Sequence, residues 1–225
     1  MSRSAIIFLV FFFPLLALLL AWLGWQSLPN NLLGWVLLGF GLLYFFGIII
    51  VAWIRRRAFW NQQTSSNIVK EEKGDRSFWI ISLGFLVFFV APVEYLYLPH
   101  WIPNSTAMQI FGLILNLGGY LLAGWSRRLL KEAYSGHLSI NETQKLVQEG
   151  PFRVIRHPAY AGFLLINLGI ALGYSSLIGM IAFLVLTIPG VVVRIRVEEG
   201  LLLSQFGQAY QDYSRRTARI IPWIW

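Results

Sequence analysis

The chain contains no cysteine. That absence excludes disulfides, thiolate metal sites, cysteine nucleophiles and iron–sulfur clusters together. Charge is scarce as well. Only 12% of the 225 residues are Asp, Glu, Lys or Arg, against about 25% in an ordinary soluble domain. Acidic residues are the scarcest, 10 against 18 basic ones, for a net charge of +8. The three histidines, His100, His137 and His157, are scattered without HxxxH or HExxH spacing, so no metal site is expected. No internal repeat and no soluble domain are evident. What the chain has in abundance is hydrophobic residues, 57% of the total, which marks a polytopic membrane protein. The positive charge does not point to nucleic acid. Basic residues gather between hydrophobic runs, as they do in loops on the cytoplasmic side of a membrane.

Six apolar runs follow one another: 5–25, 32–54, 78–97, 106–125, 159–174 and 177–193. The longer ones meet the roughly 20 residues needed to cross a bilayer core of about 30 Å. A signal peptide is the competing reading of the first run. That run is too long, and Leu23-Gly24-Trp25 is a poor cleavage site. Arg55-Arg56-Arg57 stops the second run, and Arg127, Arg128 and Lys131 follow the fourth. The positive-inside rule then puts 55–77, 127–157 and 198–225 in the cytoplasm, with both termini. The expected fold is an all-α integral membrane protein of about six transmembrane helices. Residues 1–131 form a four-helix transmembrane region, and 132–225 form a second region of cytoplasmic loop, transmembrane hairpin and C-terminal helix. Gly112, Gly118, Gly119 and Gly124 are expected to allow close helix packing. Glu94, next to Pro92 near the outer end of the third run, reads as a solvated interfacial carboxylate rather than a buried one. Tyr174, Ser175 and Ser176 read as a short external turn. Leu201, Leu202, Phe206 and Tyr210 fall on one broad face of a C-terminal helix.

Polar residues with chemical potential lie almost entirely in 132–160 and 194–219. This polarisation argues against a transporter, which places polar residues near mid-membrane in several spans. It suits an enzyme with a cytoplasmic cofactor site and a substrate entrance from the lipid. The stretch at 150–162 reads Gly-Pro-Phe-Arg-Val-Ile-Arg-His-Pro-Ala-Tyr-Ala-Gly. Pro158 biases His157 away from the α region and suits the first turn of a helix. The N–H groups of that turn, with the positive end of the helix dipole, are a place to hold a carboxylate or phosphate. Gly162 lets another group approach the backbone. The plainer reading, which physics alone favours, is an interfacial helix start with Tyr160 in the aromatic belt. Arg194 and Glu198 lie at i, i+4 on one helix face, and Arg196 and Glu199 at i, i+3. They are either two surface ion pairs worth a few tenths of a kcal/mol each or a site that needs both signs of charge.

Leu146-Val147, Gly150-Pro151-Phe152 and Arg156-His157-Pro158-Ala159-Tyr160-Ala161-Gly162 resemble the RHPxYxG signature of the isoprenylcysteine carboxyl methyltransferase family. Glu198-Glu199, Phe206-Gly207, Tyr210-Gln211-Asp212-Tyr213 and Arg216 resemble its C-terminal EE…FGxxYxxY…R signature. Related membrane phospholipid methyltransferases share the general pattern, and sterol reductases, which use NADPH, carry a similar RHxNYxG block. The resemblance covers about 137–222. It implies S-adenosylmethionine as cofactor, held in a cytoplasmic pocket built from the C-terminal hairpin and tail, and a lipophilic acceptor entering from the membrane lipid. It implies Lys145, Leu146, Val147, Phe152, His157, Pro158, Ala159, Tyr160 and Glu198 around the cofactor, and Arg194 on the acceptor, with Arg194 and Glu198 as the catalytic pair. Phe152 departs from the tyrosine often found at its position. Carboxyl methylation of a prenylated cysteine is the leading expectation. Phospholipid N-methylation, an NADPH-dependent reductase and a transporter or membrane scaffold are the alternatives. A carboxylate acceptor is already nucleophilic at neutral pH, whereas an amine must first lose a proton. The lack of an evident base dyad is therefore compatible with the former.

Overall fold

The computed structural model describes residues 39, 68–71, 77–130, 139–141, 146–222 and 225. The expected spans at 5–25 and 32–54, Gly39 excepted, and Lys145 lie outside the described residues. The described elements are, in order, β1 (Ile68–Glu71), α1 (Ser77–Ser82), a 3₁₀ turn (Leu83–Leu86), α2 (Val87–Tyr97), α3 (Thr106–Leu130) and β2 (Ser139–Asn141). A 3₁₀ turn (Gly150–Arg153), α4 (Pro158–Gly173), α5 (Leu177–Ala182), a π turn (Phe183–Thr187), α6 (Ile188–Phe206) and α7 (Gln208–Arg216) follow.

Among the described residues, three helical stretches are long and apolar enough to cross a membrane: Ile80–Tyr97, Thr106–Leu130 and Leu177–Phe206. The run expected as a fifth span forms a shorter apolar helix, α4. Its 16 residues reach about 24 Å at 1.5 Å per residue. One departure from the all-α expectation is small. β1 and β2, both from segments expected to be loops, pair antiparallel with Ile68 opposite Asn141 and Glu71 opposite Ser139. Each strand thereby gives the other's backbone groups partners. The last long helix is not uniform. Pro189 offers no N–H and its ring crowds the preceding turn, and the π turn immediately before α6 absorbs that mismatch.

α3 and α4 pack with their backbones in contact. A Cβ placed on Gly112 would lie 2.5 Å from the Gly169 carbonyl oxygen, and one on Gly119 would lie 2.6 Å from that of Gly162. Glycine at these positions is a steric requirement of the crossing. Gly118 and Gly124, expected to act likewise, face open space. Gly162 does receive a close backbone, but it is the Gly119 carbonyl of α3. Asn116 on α3, fully buried, donates from Nδ2 to the Ile166 carbonyl at 3.2 Å and ties the same seam.

Glu94 corrects the expectation of a solvated carboxylate. It is 2% exposed and sits at the N-terminus of α5. The Leu177 and Ile178 N–H groups donate to it at 3.0 and 2.8 Å, and the Ser176 hydroxyl donates as well. Ser176 Oγ in turn accepts from Gly179 N at 2.7 Å. The carboxylate from α2 thus occupies the end of a helix that would otherwise carry unsatisfied donors. Tyr174, Ser175 and Ser176, expected as an external turn, are buried beneath this contact. At the other end of the bundle the C-terminal helix breaks at Gly207, which adopts φ +50°. Tyr210 therefore belongs to α7 and does not share a face with Leu201, Leu202 and Phe206.

Candidate active site

The site begins where the chain leaves the 3₁₀ turn. Phe152 is buried in that turn, and its carbonyl accepts a hydrogen bond from the Tyr213 hydroxyl at 2.8 Å. Arg156 and His157 then run beside the C-terminal tail. Arg156 N donates to Ala218 O at 2.7 Å, His157 N to Arg219 O at 3.0 Å, and Ala218 N back to Val154 O at 3.0 Å. His157 has φ −123° and ψ 57°, outside the α region as the following proline requires. Pro158 opens α4 at its first position. The first-turn donors expected to await an anion are partly taken. The N–H groups of Tyr160 and Ala161 turn back to the His157 carbonyl at 3.1 and 3.0 Å.

Tyr160 carries its hydroxyl across to α6. It donates to Glu198 Oε2 at 2.7 Å and accepts from Arg194 Nε at 3.3 Å. Arg194 and Glu198, one helical turn apart, therefore meet through a side chain 34 to 38 positions earlier. A surface ion pair does not describe this. Arg194 is 4% exposed, and its Nη1 donates to Ser77 Oγ at 3.0 Å. Glu199 likewise turns inward. Arg156 Nε donates to its Oε1 at 3.0 Å and Arg219 Nε to its Oε2 at 2.8 Å. His157 Nε2 lies 3.5 Å from Oε1, at the outer limit of a hydrogen bond. Arg156 Nη1 also donates to the carbonyls of Ser214, at 2.9 Å, and Thr217. Glu199 is thus the knot that holds the doorway strand, α6 and the tail together. Arg196, its i−3 neighbour, is exposed.

Tyr210 and Tyr213 on α7 complete the inner wall. Burial pushes the Tyr213 phenol up to about 12. Burial first, and the Glu199 carboxylate second, push that of Tyr210 up further. Both stay protonated at neutral pH, and that of Tyr213 donates to Phe152. The hydroxyl of Tyr210 and Nε2 of His157 are buried without a hydrogen-bond partner among the described residues, an arrangement that costs free energy unless a ligand or water supplies the bond.

Of the residues expected from sequence, the structure brings Phe152, His157, Pro158, Tyr160, Arg194 and Glu198 into one end of the bundle. Ala159 lies in the same first turn of α4. Leu146 and Val147 are half-buried in irregular chain leading to it. Ser77, Arg219 and the Ser214 and Thr217 carbonyls were not foreseen. No local pattern announces them, because their partners are distant in sequence.

Residues 107–209 match the family model described as phospholipid methyltransferase. The matched segment contains Phe152, His157, Tyr160, Arg194 and Glu198. Ser77, Tyr210 and Arg219 lie outside it. Over 126 residues the chain is 34% identical to protein-S-isoprenylcysteine O-methyltransferase B of Arabidopsis thaliana, covering 55% of this chain and 61% of that protein. It is 30% identical over 128 residues to the protein-S-isoprenylcysteine O-methyltransferase of Tribolium castaneum, covering 56% and 43%. A shorter match, 31% over 71 residues, is to methanethiol S-methyltransferase 2 of Bradyrhizobium diazoefficiens, covering 32% of this chain and 26% of that one. The chain thus spans less than two thirds of the curated relatives it matches. The solved structure of a eukaryotic intramembrane Ras methyltransferase, an isoprenylcysteine carboxyl methyltransferase, shares the fold. Its TM-score is 0.57 at 17% identity, covering 100% of this chain and 88% of that one.

Proposed function

We propose that the protein is an integral-membrane, S-adenosylmethionine-dependent methyltransferase whose acceptor is a lipophilic carboxylate of the prenylated-cysteine type. The observation that carries this reading is the Tyr160 hydroxyl joining Glu198 and Arg194. Two motifs about forty residues apart meet at one polar point where the apolar helices end. The names of the relatives support the same chemistry. In this reading 132–225 is the catalytic region, 1–131 is the remainder of the transmembrane region, the chain crosses the membrane several times, and both termini are cytoplasmic.

The residues fit a sulfonium donor with an amino-acid end and a ribose. Glu198 offers a carboxylate oxygen to a hydroxyl or ammonium. His157 Nε2 and the Tyr210 hydroxyl are buried polar atoms lacking a partner. Pro158 and Ala159 shape the turn that presents Tyr160, and Lys145, Leu146, Val147 and Phe152 are assigned to donor binding. When bound, S-adenosylmethionine supplies an electrophilic methyl group for in-line displacement. The chain's own task is alignment and exclusion of water. Arg194, with a planar fork of donors, is suited to hold the acceptor carboxylate. Tyr160 fixes Arg194 against Glu198, so the charge that orients the acceptor and the charge that orients the donor share one hydroxyl. No general base is needed for a carboxylate nucleophile.

Purified protein in detergent is expected to bind S-adenosylmethionine and S-adenosylhomocysteine by calorimetry, and not NADPH. With methyl-labelled donor it is expected to label S-farnesylcysteine. Labelling of phosphatidylethanolamine instead would move the assignment to phospholipid N-methylation. Binding of NADPH in place of the donor would refute it. For topology, Ser65→Cys and Ile140→Cys, introduced singly into this cysteine-free chain, are expected to resist impermeant maleimides applied outside sealed cells.

A further inference from the structure

We propose that Ser77, outside the family-matched segment, is a positioning residue that sets the plane of the Arg194 guanidinium and thereby the enzyme's grip on its acceptor; this rests on the methyltransferase reading above. Ser77 is 3% exposed at the start of α1, and its Oγ accepts from Arg194 Nη1 at 3.0 Å across 117 positions of sequence. The second fixed point of the same guanidinium is Nε on the Tyr160 hydroxyl at 3.3 Å. Two bonds from different nitrogens of a planar group leave it little freedom to rotate. A lysine in place of Arg194 would keep the charge but lose the planar fork that these two bonds fix.

The approach that permits this contact is built into the backbone. A Cβ on Gly190 would stand 3.0 Å from the Ile80 carbonyl oxygen and from Ile81 Cα. No side chain fits there without displacing α1. Gly190 precedes Arg194 by one turn of α6, and Ser77 precedes Ile80 and Ile81 by about one turn of α1. The two helices therefore run antiparallel along this contact, and the close passage at Gly190 brings Ser77 within reach of Arg194. The hydroxyl is the only polar group that Ser77 contributes. Burying it beside a buried arginine, instead of an alanine, is what the geometry accounts for.

The test separates a positioning role from simple packing. In detergent, Ser77→Ala is expected to raise KM for S-farnesylcysteine about tenfold, the worth of one hydrogen bond to a charged group. Its calorimetric affinity for S-adenosylhomocysteine is expected to equal that of the wild type. Ser77→Thr, which keeps the hydroxyl, is expected to restore KM to within about twofold. Because Ser77 acts through Arg194, the Ser77→Ala/Arg194→Lys double variant is expected to be no worse on the acceptor than Arg194→Lys alone. An unchanged acceptor KM in Ser77→Ala overturns the assignment while leaving the methyltransferase reading intact. Parallel loss of S-adenosylhomocysteine binding, or additive effects in the double variant, overturn it in favour of packing. A wild type that transfers no methyl group overturns the functional reading, and this assignment with it.

Discussion

The two ends of the helical bundle each present glutamate, and they treat it in opposite ways. At one end Glu94 is saturated. Two backbone N–H groups and a serine hydroxyl close on its two oxygens, and it is 2% exposed. It completes a helix terminus and has no capacity for a ligand. At the other end the work is divided between adjacent residues. Glu199 is consumed by Arg156 and Arg219, whereas Glu198 is half-buried and accepts from Tyr160. The contrast separates a carboxylate that builds structure from one placed where it can still accept a bond. Burial alone does not distinguish them; the number of donors already committed does.

Substitutions sharpen this comparison. The largest effect is expected at Glu199. Glu199→Ala leaves Arg156 and Arg219 without their shared carboxylate, at a cost of about 3 kcal/mol, and releases the tail from the doorway strand. Thermal unfolding in detergent and protease cleavage near 217–220 are expected to report it. Glu94→Ala is expected to cost about 2 kcal/mol, through lost caps and unsatisfied N–H groups, with donor affinity unchanged. If Glu94→Ala weakened donor binding while leaving the melting temperature in place, the division between the two ends would be wrong. Glu198→Gln keeps the size and removes the charge. It is expected to raise KM for S-adenosylmethionine roughly tenfold with a small change in stability. Tyr160→Phe and His157→Ala are the mildest, expected to weaken donor binding roughly three- to tenfold in calorimetry and to leave the protein folded.

Local signals carried much of this architecture. The apolar runs from 78 onward mark helices because their length leaves no other way to satisfy a backbone in lipid. Pro158 opens α4 where its missing N–H does no harm. The paired motifs around 156–160 and 198–199 do converge. What stayed illegible depends on distance along the chain. Nothing near Glu94 reveals that its donors lie at 176–178, and nothing near Glu199 reveals that its partners are Arg156 and Arg219 rather than a helix neighbour. Gly112 and Gly118 look alike in sequence, yet only Gly112 faces another backbone, because which face of α3 meets α4 is decided by the partner helix. The break at Gly207 does carry a local signal. Glycine after Phe206 at a change of amphipathic face is a common helix stop.

The glycine seam between α3 and α4 also bears on traffic. With carbonyl oxygens lying within 2.6 Å of where even a methyl group would stand, nothing the width of a hydrocarbon chain can thread between these two helices without prying the fold apart. That wall is shut to any greasy molecule arriving sideways from the bilayer, so a membrane-borne visitor must find its door on another flank of the bundle.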